Sequence, residues 1–240
     1  MVGWNALAEA IRLIVPVCIS SILAIPTPVF AQTQTTSELW PTVNAQLKLP
    51  HRWVALGFAG LKKGEENEYQ QLNAGLGFGY HLKPIKKPHP TNIDSDKEYT
   101  FAFSGGYERL QVFQSGTKSD ENRLVLQAKA GFRPGSRLYL SDRNRIEFRW
   151  RYSGYSTRYR NNVQALYDII VREFHFSPYG SAEFFYDGSK DDWSREQYMA
   201  GIEWPLTHSL MLQTYYLRQN NSSEPDHINV GGLTLNLSFK

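Results

Sequence analysis

Beyond residue 31 the chain has no cysteine; its only one, Cys18, lies in an apolar run near the start. Disulfides, thiolate metal sites and cysteine nucleophiles are thereby excluded from the rest. Charge of one sign is equally scarce. Lys and Arg number 26 against 23 Asp and Glu, a net charge of +3, and the basic residues are too dispersed for a nucleic-acid footprint. Beyond the opening run there is neither a long apolar stretch nor an amphipathic helical pattern. A mean hydropathy of -0.45 leaves no room for a polytopic helical membrane protein. It does not exclude a transmembrane barrel, which turns only every second residue to lipid. Hydrophobic residues make up 41% and charged residues 20%, a balance that disordered chains lack, and the 14% of aromatics favour strands.

Residues 11–25, IRLIVPVCISSILAI, fall short of the ~20 residues a spanning helix needs, and Pro16 interrupts them. Val29 and Ala31 form the small-residue pattern of a signal-peptidase site. Residues 1–31 are therefore expected to be a cleaved signal peptide, cut between Ala31 and Gln32. A retained membrane anchor is the competing reading, because only Arg12 and the terminal amine supply a basic region and Glu9 opposes them. Val17 before Cys18 is not the small residue that an acylated cysteine needs. Residues 32–240 then form a single exported domain.

That domain alternates with a period of two almost throughout, the signature of half-apolar strands. QLNAGLGFGYHL sets Leu72, Ala74, Leu76, Phe78, Tyr80 and Leu82 against Asn73, Gly75, Gly77, Gly79 and His81. RWVALGFAGL sets Val54, Leu56 and Phe58 against Ala55, Gly57 and Ala59. EYTFAFSGGYERLQVF loses phase near Gly105-Gly106, as a bulge would make it do. Short connectors (LPHR, RPGS, PLTHS) and longer polar ones (KKGEEN, SGTKSDEN, DGSKDDWSRE, NNSSEPDH) make this a meander of hairpins. About eleven segments are visible. Closed bacterial barrels are even-numbered, so the expectation is an antiparallel up-and-down transmembrane β-barrel of about twelve strands, the extra one near TTSELW, with ten as the alternative.

A soluble barrel would show the same alternation, so the direction of the faces rests on other features. The small faces, Gly75/Gly77/Gly79 and Ala55/Gly57/Ala59, suit a narrow interior. Trp40, Trp53, Tyr80, Tyr99, Trp150, Tyr152, Tyr167, Tyr186, Trp204 and Tyr216 lie near strand ends, where interfacial girdles form. LTLNLSFK ends the chain with Leu233, Leu235, Leu237 and Phe239 in phase, like a terminal strand read by barrel-assembly machinery, although Lys240 follows the aromatic. In NRIEFRWRYSGYSTRYRNN the same orientation sends Arg145, Glu147, Arg149, Arg151, Arg158 and Arg160 inward. Glu183 and Glu203 share that face by parity. Three carboxylates cannot neutralise five arginines, so the interior is expected to be positive.

ELWPTVNAQLKLP, DRNRIEFRWR, RYRNNVQALYD, PYGSAEFFYD and DHINVGGLTLNLSF together resemble the outer-membrane β-barrels filed as domain of unknown function 2490. The resemblance implies an outer-membrane location and carries no catalytic residue onto this chain.

No G-x-S-x-G elbow or H-E-x-x-H pair is present. His51, His81, His89, His175, His208 and His227 read as structural or solvated, and DGSKDDWSRE, with Asp187, Asp191 and Asp192, as a solvated loop without EF-hand spacing. KPIKKPHP reads as a Pro-rich connector. No catalytic, cofactor or metal residue is assigned. The expected function is structural or porin-like passive passage through an Arg/Glu-lined interior, with a weak preference for anions. Its partners would be outer-membrane lipid, the assembly machinery and a small anionic solute, and not nucleic acid. A barrel enzyme acting on envelope lipid and a soluble periplasmic ligand-binding barrel are the alternatives.

Overall fold

The computed structural model describes residues 35–64, 69–84, 97, 99–172, 174–222 and 227–239. The expected signal peptide, its cut between Ala31 and Gln32, His89, most of the KPIKKPHP connector and Lys240 lie outside the described residues.

The described residues form twelve strands: β1 (Thr35–Lys48), β2 (Trp53–Gly64), β3 (Gln70–Pro84), β4 (Tyr99–Gln114), β5 (Thr117–Phe132), β6 (Leu138–Arg151), β7 (Gly154–Tyr167), β8 (Ile169–Val171), β9 (Phe174–Asp187), β10 (Asp192–Pro205), β11 (Leu210–Asn221) and β12 (His227–Phe239). TTSELW is no separate strand; it opens β1. The twelfth strand is instead the three-residue β8, which pairs only with β9. The other eleven close into a barrel, β9 following β7 and β12 meeting β1.

An odd ring cannot close with antiparallel pairs alone. β1 and β12 accordingly run parallel over thirteen residue pairs, Thr35 beside His227 through Leu47 beside Phe239. Parallel pairing is slightly weaker per residue than antiparallel. Inside the barrel this seam is tied by a hydrogen bond from Asn44 Nδ2 to Asn236 Oδ1 at 2.9 Å. A one-residue slip would flip every side chain across the wall and break it.

β3 runs as its alternation reads. Leu76 and Phe78 point outward, Leu76 with 77% of its surface exposed, while Gly75, Gly77 and Gly79 face in. β2 does the opposite of what its small face suggests. Ala55 and Gly57 pair with outward Phe78 and Leu76, so Ala55, Gly57 and Ala59 lie outside and Val54, Leu56 and Phe58 point in. The reason lies on the neighbouring strand. The Phe58 ring and the Val54 side chain occupy the space that Cβ atoms of Gly75 and Gly79 would take, and Leu76 covers Gly57 from outside.

The expected phase break at Gly105-Gly106 does not occur, since β4 keeps one register with β3 and β5 throughout. The register shift lies between Trp193 and Arg195 on β10. SGTKSDEN is likewise mostly strand. Only Ser115 and Gly116 turn, both at positive φ, as a two-residue hairpin of the primed type requires.

Aromatic side chains on the outside form two bands. Trp53 packs against Tyr80 and Phe176 against Trp204 near the end that carries the β1/β2 turn. Trp150 meets Tyr155, and Tyr186 meets Trp193, near the opposite end. Trp40 belongs to neither band: it pairs with Gly232 on the inner face and holds Lys62 Nζ 3.4 Å from its ring centre. Between the bands the outer surface is mostly apolar. One polar cluster interrupts it, where Asp142 accepts hydrogen bonds from Asn144 (2.9 Å) and Asn161 (2.7 Å). Both carboxylate oxygens are satisfied within the sheet.

Gly77 and Gly106 leave no room for a Cβ between β3 and β4: one on Gly77 would lie 2.5 Å from the Gly105 carbonyl oxygen. Backbone cannot yield as a side chain can. Gly77→Ala is therefore expected to destabilise the barrel by about 1–3 kcal/mol. Gly135→Ala, which meets nothing within 4 Å, should be near neutral. Urea unfolding followed by tryptophan fluorescence compares the two.

Candidate functional site: the charged interior

Each inward arginine is set by strand parity. On β6, Arg143, Arg145, Glu147, Arg149 and Arg151 alternate with outward Asn144, Ile146, Phe148 and Trp150. β7 places Arg158 and Arg160 beside Glu147 and Arg145 in register. β9 adds Glu183 and Asp187, and β5 adds Glu121 and Arg123.

Glu147 is the hub. It has no exposed surface and accepts from Arg145 Nε and Arg160 Nη1, each at 2.9 Å, with Arg123 Nη1 at 3.6 Å. From it the pairing runs in two directions. One branch passes from Arg160 to Glu183 (2.9 and 3.0 Å) and on to Arg143 (2.7 Å). The other passes from Arg123 to Glu121, which also holds Arg149 (2.5 Å) and Arg151 (2.8 Å). Asp187 binds Arg158 at 3.0 Å and lies 3.7 Å from Arg149. Glu108 on β4 takes Arg145 on both oxygens at 2.7 Å.

Seven guanidinium groups (Arg123, Arg143, Arg145, Arg149, Arg151, Arg158, Arg160) thus share five carboxylates (Glu108, Glu121, Glu147, Glu183, Asp187), two positive charges in excess. The ring of Phe185 takes part of the surplus. It lies inward on β9 with the guanidinium carbons of Arg160, Arg195 and Arg158 at 4.6, 5.5 and 6.0 Å from its centre, a cation–π arrangement.

The five arginines expected inside lie in one lattice with Glu147 and Glu183. Glu203 does not join them. It is held by Lys97 Nζ at 2.7 Å and by Gln213 at 2.8 Å, away from every arginine in the lattice. Lys97 sits in the connector before β4, where no periodicity pointed to it. Arg123, Glu121 and Glu108 were legible in principle, since they alternate with outward Leu124, Leu126 and Tyr107. Asp187, read as part of a solvated loop, is a buried lattice member because β9 extends to it. Asp191 instead accepts a hydrogen bond from the Tyr186 hydroxyl. Among the described residues no group of three His, Cys, Asp or Glu is placed to hold a metal ion.

Near the β1/β2-turn end the interior changes character. Tyr139, Leu166 and Tyr179 form a buried cluster against Met199 and Tyr215. Beside it Asp168 accepts from Ser177 Oγ at 2.7 Å and from Arg133 at 3.0 Å, with His175 Nε2 3.7 Å away. The serine hydroxyl is directed at the carboxylate and not at the imidazole, which is not the relay a nucleophilic serine uses.

The family model described as Protein of unknown function (DUF2490) matches residues 91–229, from the connector before β4 into β12. The chain belongs to this family. No curated protein matches it. In this DUF2490 barrel the matched segment contains the whole arginine–carboxylate lattice.

Between the lattice and strands β1–β4 lies a cavity of about 430 Å³. Its walls differ. Leu56 and Phe58 with the glycine stripe Gly75, Gly77 and Gly106 form one, and Gln127, Lys129, Arg143 and Arg145 the other.

Removing the hub carboxylate takes a shared buried acceptor from Arg145, Arg160 and Arg123, which keep only Glu108, Glu183 and Glu121, and raises the lattice's positive surplus from two charges to three. Glu147→Gln is expected to cost about 3–5 kcal/mol. Arg151→Gln, whose side chain is 31% exposed, should cost about 1 kcal/mol or less. Equilibrium unfolding in detergent or lipid reads both, and equal losses would contradict the hub assignment.

Proposed function

We propose that this protein is a bacterial outer-membrane β-barrel that admits small anions through a narrow, positively charged interior. The observation that carries the membrane placement is the exposed apolar belt between two aromatic bands. Phe176 and Tyr186 mark those bands on β9, ten residues apart in the sequence. At about 3.3 Å per residue and a usual tilt of about 40°, they stand about 25 Å apart along the axis, the height of an outer-membrane apolar belt. A soluble barrel would bury that surface, and contiguous exposed apolar patches of such extent mark contact with lipid or partners. The outward Phe239 on the final strand suits recognition by assembly machinery, and a cleaved signal peptide over residues 1–31 fits export.

Passage rests on the charge surplus. Rings of one sign exclude ions of that sign, so an interior with two uncompensated guanidinium groups favours anions. The lattice and the aromatic cluster place large side chains inside the barrel, so passage is restricted to small solutes.

Two measurements test the halves separately. The protein should fractionate with outer membranes, and Leu76→Arg should impair insertion by about 2–4 kcal/mol while Leu76→Ala is tolerated. Release with periplasmic contents would sink the membrane placement. In planar bilayers the conductance should be small and favour chloride over potassium. Cation preference or a silent barrel would sink the passage reading.

A further inference from the structure

We infer that the interior cavity is a binding site for a small organic carboxylate with an apolar body; this rests on the anion-passage reading and names its solute class. Four observations carry it. The first is the asymmetry of the walls: a flat apolar floor of Phe58, Leu56 and backbone at the glycines faces a cationic wall holding Arg143 and Lys129. An inorganic anion has no use for the first wall, and a neutral apolar molecule none for the second.

The second is the state of the charged groups. Glu108 is the only carboxylate lining the cavity, and both its oxygens are engaged by Arg145. No unpaired carboxylate is left there to hold a cation. Arg143, by contrast, is paired through Nη2 to Glu183 but keeps 29% of its side chain exposed, and it points inward, so that surface meets only the interior.

The third is a pair of buried donors without acceptors. Arg143 Nε and Asn236 Nδ2 have no hydrogen-bond partner, and both residues line the cavity from different walls. Buried N–H groups are nearly always satisfied. A carboxylate brings acceptors alone, and modest side-chain adjustment presents these donors to it. The fourth is size. At about 430 Å³ the cavity lies in the lower part of the range for small-molecule sites. It holds an aromatic or short-chain acid, and not a glycan or peptide.

The test uses the full chain reconstituted in phosphatidylcholine vesicles, with benzoate as probe and benzamide as its neutral counterpart, by isothermal titration calorimetry. Saturable benzoate binding at least tenfold tighter than benzamide is expected. Arg143→Gln should weaken benzoate at least tenfold and leave benzamide unchanged. Ser104→Leu, which fills the cavity from β4 without touching the lattice, should abolish benzoate binding while heat-modifiable migration on gels shows a folded barrel. If Arg143→Gln does not fold, Ser104→Leu decides. Equal affinity for the two probes, no benzoate binding by the folded wild type, or undiminished binding by folded Ser104→Leu would each overturn the site. Chloride-selective conductance without benzoate binding would sink this site alone; failure to enter vesicles would sink the membrane reading beneath it.

Discussion

A guanidinium or carboxylate taken out of water without a partner costs several kcal/mol. This barrel encloses seven of one and five of the other in a single connected lattice. The wall is built around that demand. Strict alternation on β5, β6, β7 and β9 sends every lattice charge to one side, and antiparallel register sets opposite signs within reach across strands. Glu121 opposite Arg151 and Arg158 opposite Asp187 show how a fixed register assembles the lattice without any loop. The same alternation leaves Ile146, Phe148 and Trp150 outside, so the apolar outer belt and the charged interior are two consequences of one pattern.

Much of this was legible in the residues. Period two identified nearly all the strands, and the arginine-rich stretch gave its inward set because Ile146, Phe148 and Trp150 cannot share that face. What alternation does not carry is direction. Val54, Leu56 and Phe58 against Ala55, Gly57 and Ala59 fit either orientation of β2, and bulk alone suggested that the small residues faced in. The answer is set by β3, whose inward glycines make room for Phe58 and Val54. Packing between neighbouring strands decided it, and no single-strand reading contains that information. Glu203 was misassigned for a related reason. Parity correctly turned it inward, but parity says nothing about height along the barrel, and at its level the cation is Lys97, supplied by a connector.

Ring size was hidden for a different reason. Strand segments can be counted in sequence, but the pairing that closes a sheet joins its two most distant strands. β1 and β12 meet in parallel, and thirteen pairs with the Asn44–Asn236 bond stand in for the regular antiparallel closure of an even ring. Parallel closure also places the start of β1 and the end of β12 at opposite ends of the barrel, so the first and last strands share a direction as well as an edge.

The interior is consequently not uniform along or around its axis. The aromatic cluster of Tyr139, Leu166 and Tyr179 narrows the end at the β1/β2 turn, and the lattice fills the side formed by β5 to β9. Along Val54–Phe58 of β2 and Gly75–Gly79 of β3 the interior carries apolar side chains and bare backbone, because there the inverted strand and the glycine stripe take the place of polar groups. The cavity lies on that side, while the side formed by β5 to β9 is taken up by side chains that hold one another's charge. The inversion of β2 thus gives the proposed passage its apolar wall, while the unneutralised arginines give it its sign. A barrel with β2 in the expected orientation would present Ala55, Gly57 and Ala59 inside, enlarging the space and removing the surface that an apolar body needs.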